Sequence, residues 1–150
     1  MGWVVDTCVL IDVLDEDARY GKASAVTLQE LLPQGLVISP ISFIELSPAF
    51  MGDLHAQWLF LDELSAEYHC SWTWEDSMAA HAAWARYVHL KKSKAVLKRP
   101  IADILIGAFA SRFNGLVTRN TADFRAVFPG LIIVDPGKEV DSEQSGTNHS

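Results

Sequence analysis

No run of about 18 apolar residues passes through this sequence without a charge, because Asp6, Asp12 and Asp15 break the opening one, and that excludes a membrane-spanning helix there. Nor is there a basic segment leading into a short apolar one, so the chain is expected to be soluble, unexported and cytoplasmic. Cysteine is scarce: Cys8 and Cys70 stand far apart in apolar surroundings and are expected to be buried free thiols rather than a disulfide, as suits a reducing compartment. No G-x-G-x-x-G and no Walker A motif occurs, which removes the usual phosphate cradles of nucleotide-cofactor chemistry. His55, His69, His81, His89 and His149 have no H-E-x-x-H or C-x-x-C partner, so a zinc site has no ligand set. Asn148 and Ser150 complete a glycosylation sequon that a cytosolic protein does not use.

Basic residues are also few, and unevenly placed. The formal net charge is −7. Residues 1–75 hold 2 Lys/Arg against 12 Asp/Glu, a balance of −10, whereas residues 76–150 hold 10 against 7, a balance of +3. An acidic protein with this asymmetry still has room for a local basic surface. At 150 residues, with 49% hydrophobic and 21% charged, the chain fits one domain with a sizeable core.

What is present is organised around Trp3 to Asp12, WVVDTCVLID. Trp3, Val4 and Val5 suit a central parallel strand buried on both faces, and Thr7 is expected to cap a helix carrying Val9, Leu10, Val13 and Leu14. Asp6 then falls at a strand-to-helix turn, where ligands bind in open α/β sheets, although an Asp there also commonly does no more than hydrogen-bond its own turn.

The pattern then alternates. A helix over Ala23–Leu32 ends at Pro33 and Gly35, Leu36–Ile38 is a second strand, and Ile41–Phe50 resumes a helical pattern. Leu54–Leu64 predicts an amphipathic helix with Leu54, Trp58, Leu61 and Leu64 on one face; Trp58 and Phe60 there leave a homodimer interface open. Tyr68–Trp72 is expected to be a third strand, and Thr73 with Asp76 a capping box for a helix carrying Met78, Ala82, Ala85 and Val88. After the basic run KKSKAVLKR, Pro100 starts a helix that is apolar nearly all round. Leu116–Thr118 and Leu131–Val134 complete five strands, with a short turn or helix at Asn120–Phe124 between them, and the polar tail 138–150 is expected to be disordered. Strands separated by helices predict a three-layer α/β/α domain over residues 1–137 with a central parallel sheet of about five strands.

Three more acids stand where Asp6 stands, near strand ends or in first helical turns: Glu45, Asp103 and Asp123. Each has a plain structural alternative. Ser42 with Glu45 fits a capping box, Asp103 suits the dipole of the helix begun by Pro100, and Asn120 with Asp123 mimics a cap. The βαβ topology nevertheless brings these elements to one sheet edge, and converging carboxylates repel unless a cation sits among them. With no His or Cys in the set, magnesium or manganese is the expected ion.

The segments VVDTCVLID, PISFIEL, IADILIGAFA and VTRNTADF resemble, in order, the four acidic motifs of the PIN-domain nucleases, over about residues 3 to 135. A single domain of this size is similar to the VapC-type toxins of bacterial toxin–antitoxin pairs. The resemblance implies that Asp6, Glu45, Asp103 and Asp123 are catalytic metal-binding acids, and that Thr7, Ser42, Thr118 and Asn120 position the substrate. It implies metal-dependent hydrolysis of RNA phosphodiester bonds, with Lys91, Lys92, Lys94, Lys98 and Arg99 as phosphate contacts and an antitoxin as protein partner; the same lysines also fit a solvated loop. The sequence departs from the pattern at Cys8, where Asn or Ser is usual, and at Ile44, where a small residue is. The rival from another class is a catalytically silent PIN-like module that binds RNA or protein. VVDTCV also resembles a haloacid-dehalogenase nucleophile loop, but Cys8 occupies the place of the second Asp that such a loop needs.

Overall fold

The computed structural model describes residues 1–92 and 100–137. In chain order the elements are β1 (Trp3–Val5), α1 (Thr7–Leu14), α2 (Gly21–Leu31), β2 (Leu36–Val37), α3 (Pro40–Glu45), α4 (Leu54–Glu63), β3 (Ala66–Glu67), α5 (Trp74–Lys92), α6 (Pro100–Ala110), β4 (Gly115–Val117), α7 (Thr121–Val127) and β5 (Ile133–Val134). Single 3₁₀ turns at Leu32–Gln34 and Ser47–Phe50 follow α2 and α3, each begun at a proline-containing sequence that stops the α-helix.

All five strands are parallel, in the order β3-β2-β1-β4-β5, with Trp3 level with Leu36 on one side and Gly115 on the other. Successive residues point to opposite faces, as the pleat requires. Val4, Val37 and Leu116 pack with Ala83, Ile104, Phe109 and Phe124 of α5, α6 and α7, whereas Val5, Leu36 and Val117 pack with Val9, Leu10, Leu28 and Leu61 of α1, α2 and α4. β1, β2 and β4 thus each feed two cores, which is why their sequences are apolar without alternation, and the three-layer α/β/α architecture follows. At Gly115 the chain has no room for a side chain, since a Cβ would lie 2.3 Å from the Ile132 carbonyl oxygen. Among the described residues no helix is long and apolar enough to cross a membrane.

Several boundaries and faces differ from expectation. The third strand is Ala66–Glu67, not Tyr68–Trp72, because pairing with Leu36 and Val37 fixes its register two residues earlier. In α4 the buried positions are Gln57 and Leu61, while Leu54 and Trp58 are 46% and 39% exposed. Gln57 is tolerated inside because its amide donates to the Phe43 carbonyl at 2.7 Å. In α5 the helix is anchored through Asp76, Ala80, Ala83 and Tyr87, and the stripe with Met78, Ala82, Ala85 and Val88 faces out. The Thr73–Asp76 capping box is present: Thr73 N–H donates to Asp76 Oδ2 at 2.9 Å and Asp76 N–H to Thr73 Oγ at 3.3 Å.

Candidate active site

The strand order reverses direction between β1 and β4: β2 and β3 extend to one side, β4 and β5 to the other. In an open parallel sheet the crevice at such a switch point, beyond the carboxyl ends of the strands, is where ligands bind. Asp6 follows β1 there and Thr118 follows β4.

Asp6 is 4% exposed and occupies the N-cap of α1 itself, displacing Thr7 from the capping role expected for it. Its Oδ1 accepts the Thr7 N–H at 2.8 Å, and its Oδ2 accepts the Thr118 hydroxyl at 2.7 Å and the Cys8 thiol at 3.5 Å. Burial pushes the Asp6 carboxyl above its ordinary range; these donors oppose that, and the negative charge of Glu45 adds to it. Burial, followed by the charge of Asp6, pushes the Cys8 thiol up to about 12, so Cys8 stays protonated at neutral pH.

Glu45 reaches the same place from α3. Ser39, not Ser42, caps that helix, its hydroxyl accepting the Ser42 N–H at 3.0 Å with Pro40 in the first turn. The buried Ser42 hydroxyl lies 3.0 Å from Thr7 Oγ, which donates to Glu45 Oε1 at 2.7 Å. Glu45 ends a six-residue helix, the end where a negative charge is disfavoured by the helix dipole, so capping does not account for it. Asp6 and Glu45 are therefore joined through Thr7.

Asp103 is half-buried in the first turn of α6, a helix that packs against α3, β1 and β4. Asp123 is exposed in the first turn of α7, and Asn120, at that helix's N-cap position, makes no side-chain capping bond; its backbone N–H donates instead to Thr118 Oγ at 3.0 Å. Among the described residues no three His, Cys, Asp or Glu side chains are grouped closely enough to hold a metal ion. The structure thus brings Asp6, Thr7, Ser42, Glu45, Thr118 and the Asn120 backbone together, and does not gather Asp103 and Asp123 into one cluster with them. The donor set fits a hard cation all the same: the Asp6 and Glu45 carboxylates and the Thr7, Ser42 and Thr118 hydroxyls are oxygen donors with no soft ligand bonded among them but the Cys8 thiol. Lys91 is exposed at the end of α5; the side chain of Lys92, and Lys94, Lys98 and Arg99 entirely, lie outside the described residues.

In the sequence, Asp12 stands out only as a break in an apolar run. In the structure it is 4% exposed and paired with Arg119, whose Nε lies 2.5 Å from Asp12 Oδ2. The available signal is that an acid among Val9, Leu10 and Val13 on one helix must find a cation or leave a buried charge unpaired.

A PIN-domain family model matches residues 3–127. Comparison with curated proteins finds no match. Among solved structures, a chain of VapBC-1 from nontypeable Haemophilus influenzae superposes with a TM-score of 0.68 at 20% identity, over 91% of this chain and 98% of that one. A chain of VapBC2 from Rickettsia felis, bound to a DNA fragment from its promoter, gives 0.62 at 17% identity over 90% and 98%. A chain of FitAcB from Neisseria gonorrhoeae gives 0.57 at 18% over 89% and 96%.

Proposed function

The chain belongs to the PIN-domain family, and from that premise we propose that it is a magnesium- or manganese-dependent endoribonuclease, the toxin of a toxin–antitoxin pair. The observation that carries the reading is the buried carboxylate of Asp6 at the switch point, fixed by Thr118 and linked through Thr7 to a second carboxylate, Glu45. A carboxylate that is buried at a sheet edge and linked to a second acid suits a cation, which would offset the cost of burying its charge. Asp6, Glu45, Asp103 and Asp123 are the residues to hold it. The chemistry the cation supplies when bound is to lower the pKa of an attacking water and to offset charge developing on the phosphate.

The rest is done by this chain. Thr118 and the Thr7 N–H orient the Asp6 carboxylate, the Thr7 hydroxyl, with the buried Ser42 behind it, orients Glu45, and the exposed Asn120 side-chain amide is the group to hydrogen-bond the RNA backbone. Lys91, Lys92, Lys94, Lys98 and Arg99 contribute phosphate affinity. A shallow apolar groove of about 470 Å³ beside Glu45, lined by Phe43, Ile44, Trp58 and Tyr68 among others, offers an antitoxin a surface. The structural neighbours named VapBC support that partnership, and cytoplasmic action on RNA goes with it.

The purified protein should cleave RNA with magnesium or manganese and fall silent in EDTA. Cleavage that survives chelation overturns the metal, and folded, metal-loaded protein that cleaves nothing returns the chain to a silent binding module. Replacing Lys91, Lys92 and Lys94 by Ala should weaken RNA binding alike across sequences and lower the slope of log affinity against log salt by up to about one unit for each phosphate no longer neutralised. An unchanged slope in a binding titration makes the run a solvated loop.

A further inference from the structure

The end of β4 is tied to α1 at two points. One is the Thr118 hydroxyl on Asp6 Oδ2 at 2.7 Å. The other is one residue along: Arg119 grips Asp12 with two prongs, Nε to Oδ2 at 2.5 Å and Nη2 to Oδ1 at 3.0 Å. The Arg119 guanidinium lies 4.1 Å from the Tyr20 ring centroid, so its plane is held from a third side by the start of α2. Asp12 Oδ2 also meets the buried Ser24 hydroxyl of α2 at 3.5 Å. Asn120 N–H on Thr118 Oγ completes the turn, so residues 118–120 are each fixed, two of them by groups on α1 or α2.

We propose that the Arg119–Asp12 pair, with Tyr20 stacked on it, is a positioning device for the candidate nuclease site: it sets where Thr118 stands and so holds the Asp6 carboxylate in its working orientation. The inference rests on the function proposed above. Thr118 is the shortest donor on Asp6; the sheet already holds its backbone, through its N–H on the Val134 carbonyl at 3.0 Å and the Asp6 N–H on the Val117 carbonyl at 2.9 Å, and Arg119 fixes the chain where it leaves the sheet. A fork-shaped guanidinium bonded to a buried carboxylate fixes both distance and plane, which a lysine ammonium on a flexible stem does not. Because Asp12 sits on the helix that Asp6 caps, a slip of the β4–α7 turn relative to Asp6 strains the two-pronged grip together with the Thr118 bond.

The test uses the full chain as Arg119→Lys, which keeps the charge pair, and as Tyr20→Leu, which keeps the pair but removes the stack. Three quantities are read: the metal-free Tm, the Tm shift produced by magnesium, and kcat and KM for RNA cleavage. Groups that orient metal-binding carboxylates typically cost about 10- to 100-fold in metal affinity or activity when changed. Arg119→Lys should therefore lower kcat by about that factor with KM unchanged, and shrink the magnesium shift; Tyr20→Leu should move both in the same direction by less. A lower Tm with kcat and magnesium shift both at wild-type values overturns the proposal and leaves the pair a structural brace. Should Arg119→Lys not fold, Tyr20→Leu decides by the same two readouts. If the wild type binds magnesium but cleaves no RNA, the nuclease reading fails while the magnesium shifts of the variants still decide the positioning role. A wild type that shows neither cleavage nor a magnesium shift overturns both.

Discussion

Asp6→Asn is expected to reduce RNA cleavage by at least about 1,000-fold while leaving the metal-free protein no less stable at pH 7. The activity loss follows from removing several kcal/mol of charge stabilisation at the reacting phosphate. The stability side follows from the site. Asn caps a helix about as well as Asp, so the α1 cap survives. One acceptor oxygen is removed from among the Thr7, Thr118 and Cys8 donors, a cost of about 1 kcal/mol, and against it the buried charge and its repulsion from Glu45 disappear. The sign with pH is definite. Burial raises the folded carboxyl above its unfolded value of about 3.9, so in that window the native state binds more protons than the unfolded one, and wild-type stability declines as pH rises from about 4 through the folded value. The variant lacks this decline. Its stability relative to wild type should thus grow with pH across that interval, as read by urea unfolding at a series of pH values; a relative stability that stays flat or falls with pH would mean that Asp6 is an ordinary cap, its charge favoured by the helix N-terminus.

Arg112→Ala should destabilise the protein by about 3 kcal/mol. Asp76 is buried at 1% side-chain exposure, and Arg112 bonds both its oxygens at 2.9 Å while also donating to the Ser71 carbonyl. The guanidinium lies 4.9 and 4.8 Å from the Phe109 and Phe113 ring centroids. Removing one partner of a buried pair typically costs about 3 to 5 kcal/mol. The lower end applies because Arg112 is itself 30% exposed and water can follow its removal. Burial alone would raise the Asp76 carboxyl, but the Arg112 guanidinium and the Thr73 N–H outweigh it and hold it below the usual range. Its stabilisation is therefore present above the unfolded pKa of about 3.9 and is lost as pH falls further through the folded value. Asp76→Asn completes a double-mutant cycle. A loss below about 1 kcal/mol for Arg112→Ala would class the pair with solvent-screened surface bridges.

The fold is legible because strands buried on two faces write themselves as short apolar runs, and Asp6 because an acid inside such a run is conspicuous. Faces of helices are less so. In α5, Met78, Ala82, Ala85 and Val88 make as good a helical stripe as Ala80, Ala83 and Tyr87; what chooses between them is Asp76, pulled inward by Arg112 from 36 residues away. The Ser42–Glu45 spacing imitates a capping box because Ser39, one residue before Pro40, carries no comparable pattern. The Arg119–Asp12 pair joins positions 107 apart, and nothing local in either sequence names the other. The sequence leads one to expect Asp103 and Asp123 to converge on Asp6 from topology alone, and topology sets which elements carry them without fixing where their carboxylates reach.

Four melting curves test most directly whether the four acids are one metal site: wild type and Asp103→Asn, each in EDTA and in magnesium. A single site predicts that magnesium, binding only the folded state, raises the wild-type Tm and raises that of Asp103→Asn much less. If Asp103 is only a first-turn acid, the variant is instead less stable in EDTA by about 0.3 to 1 kcal/mol and magnesium shifts both proteins equally. That second pattern would contradict the metal site.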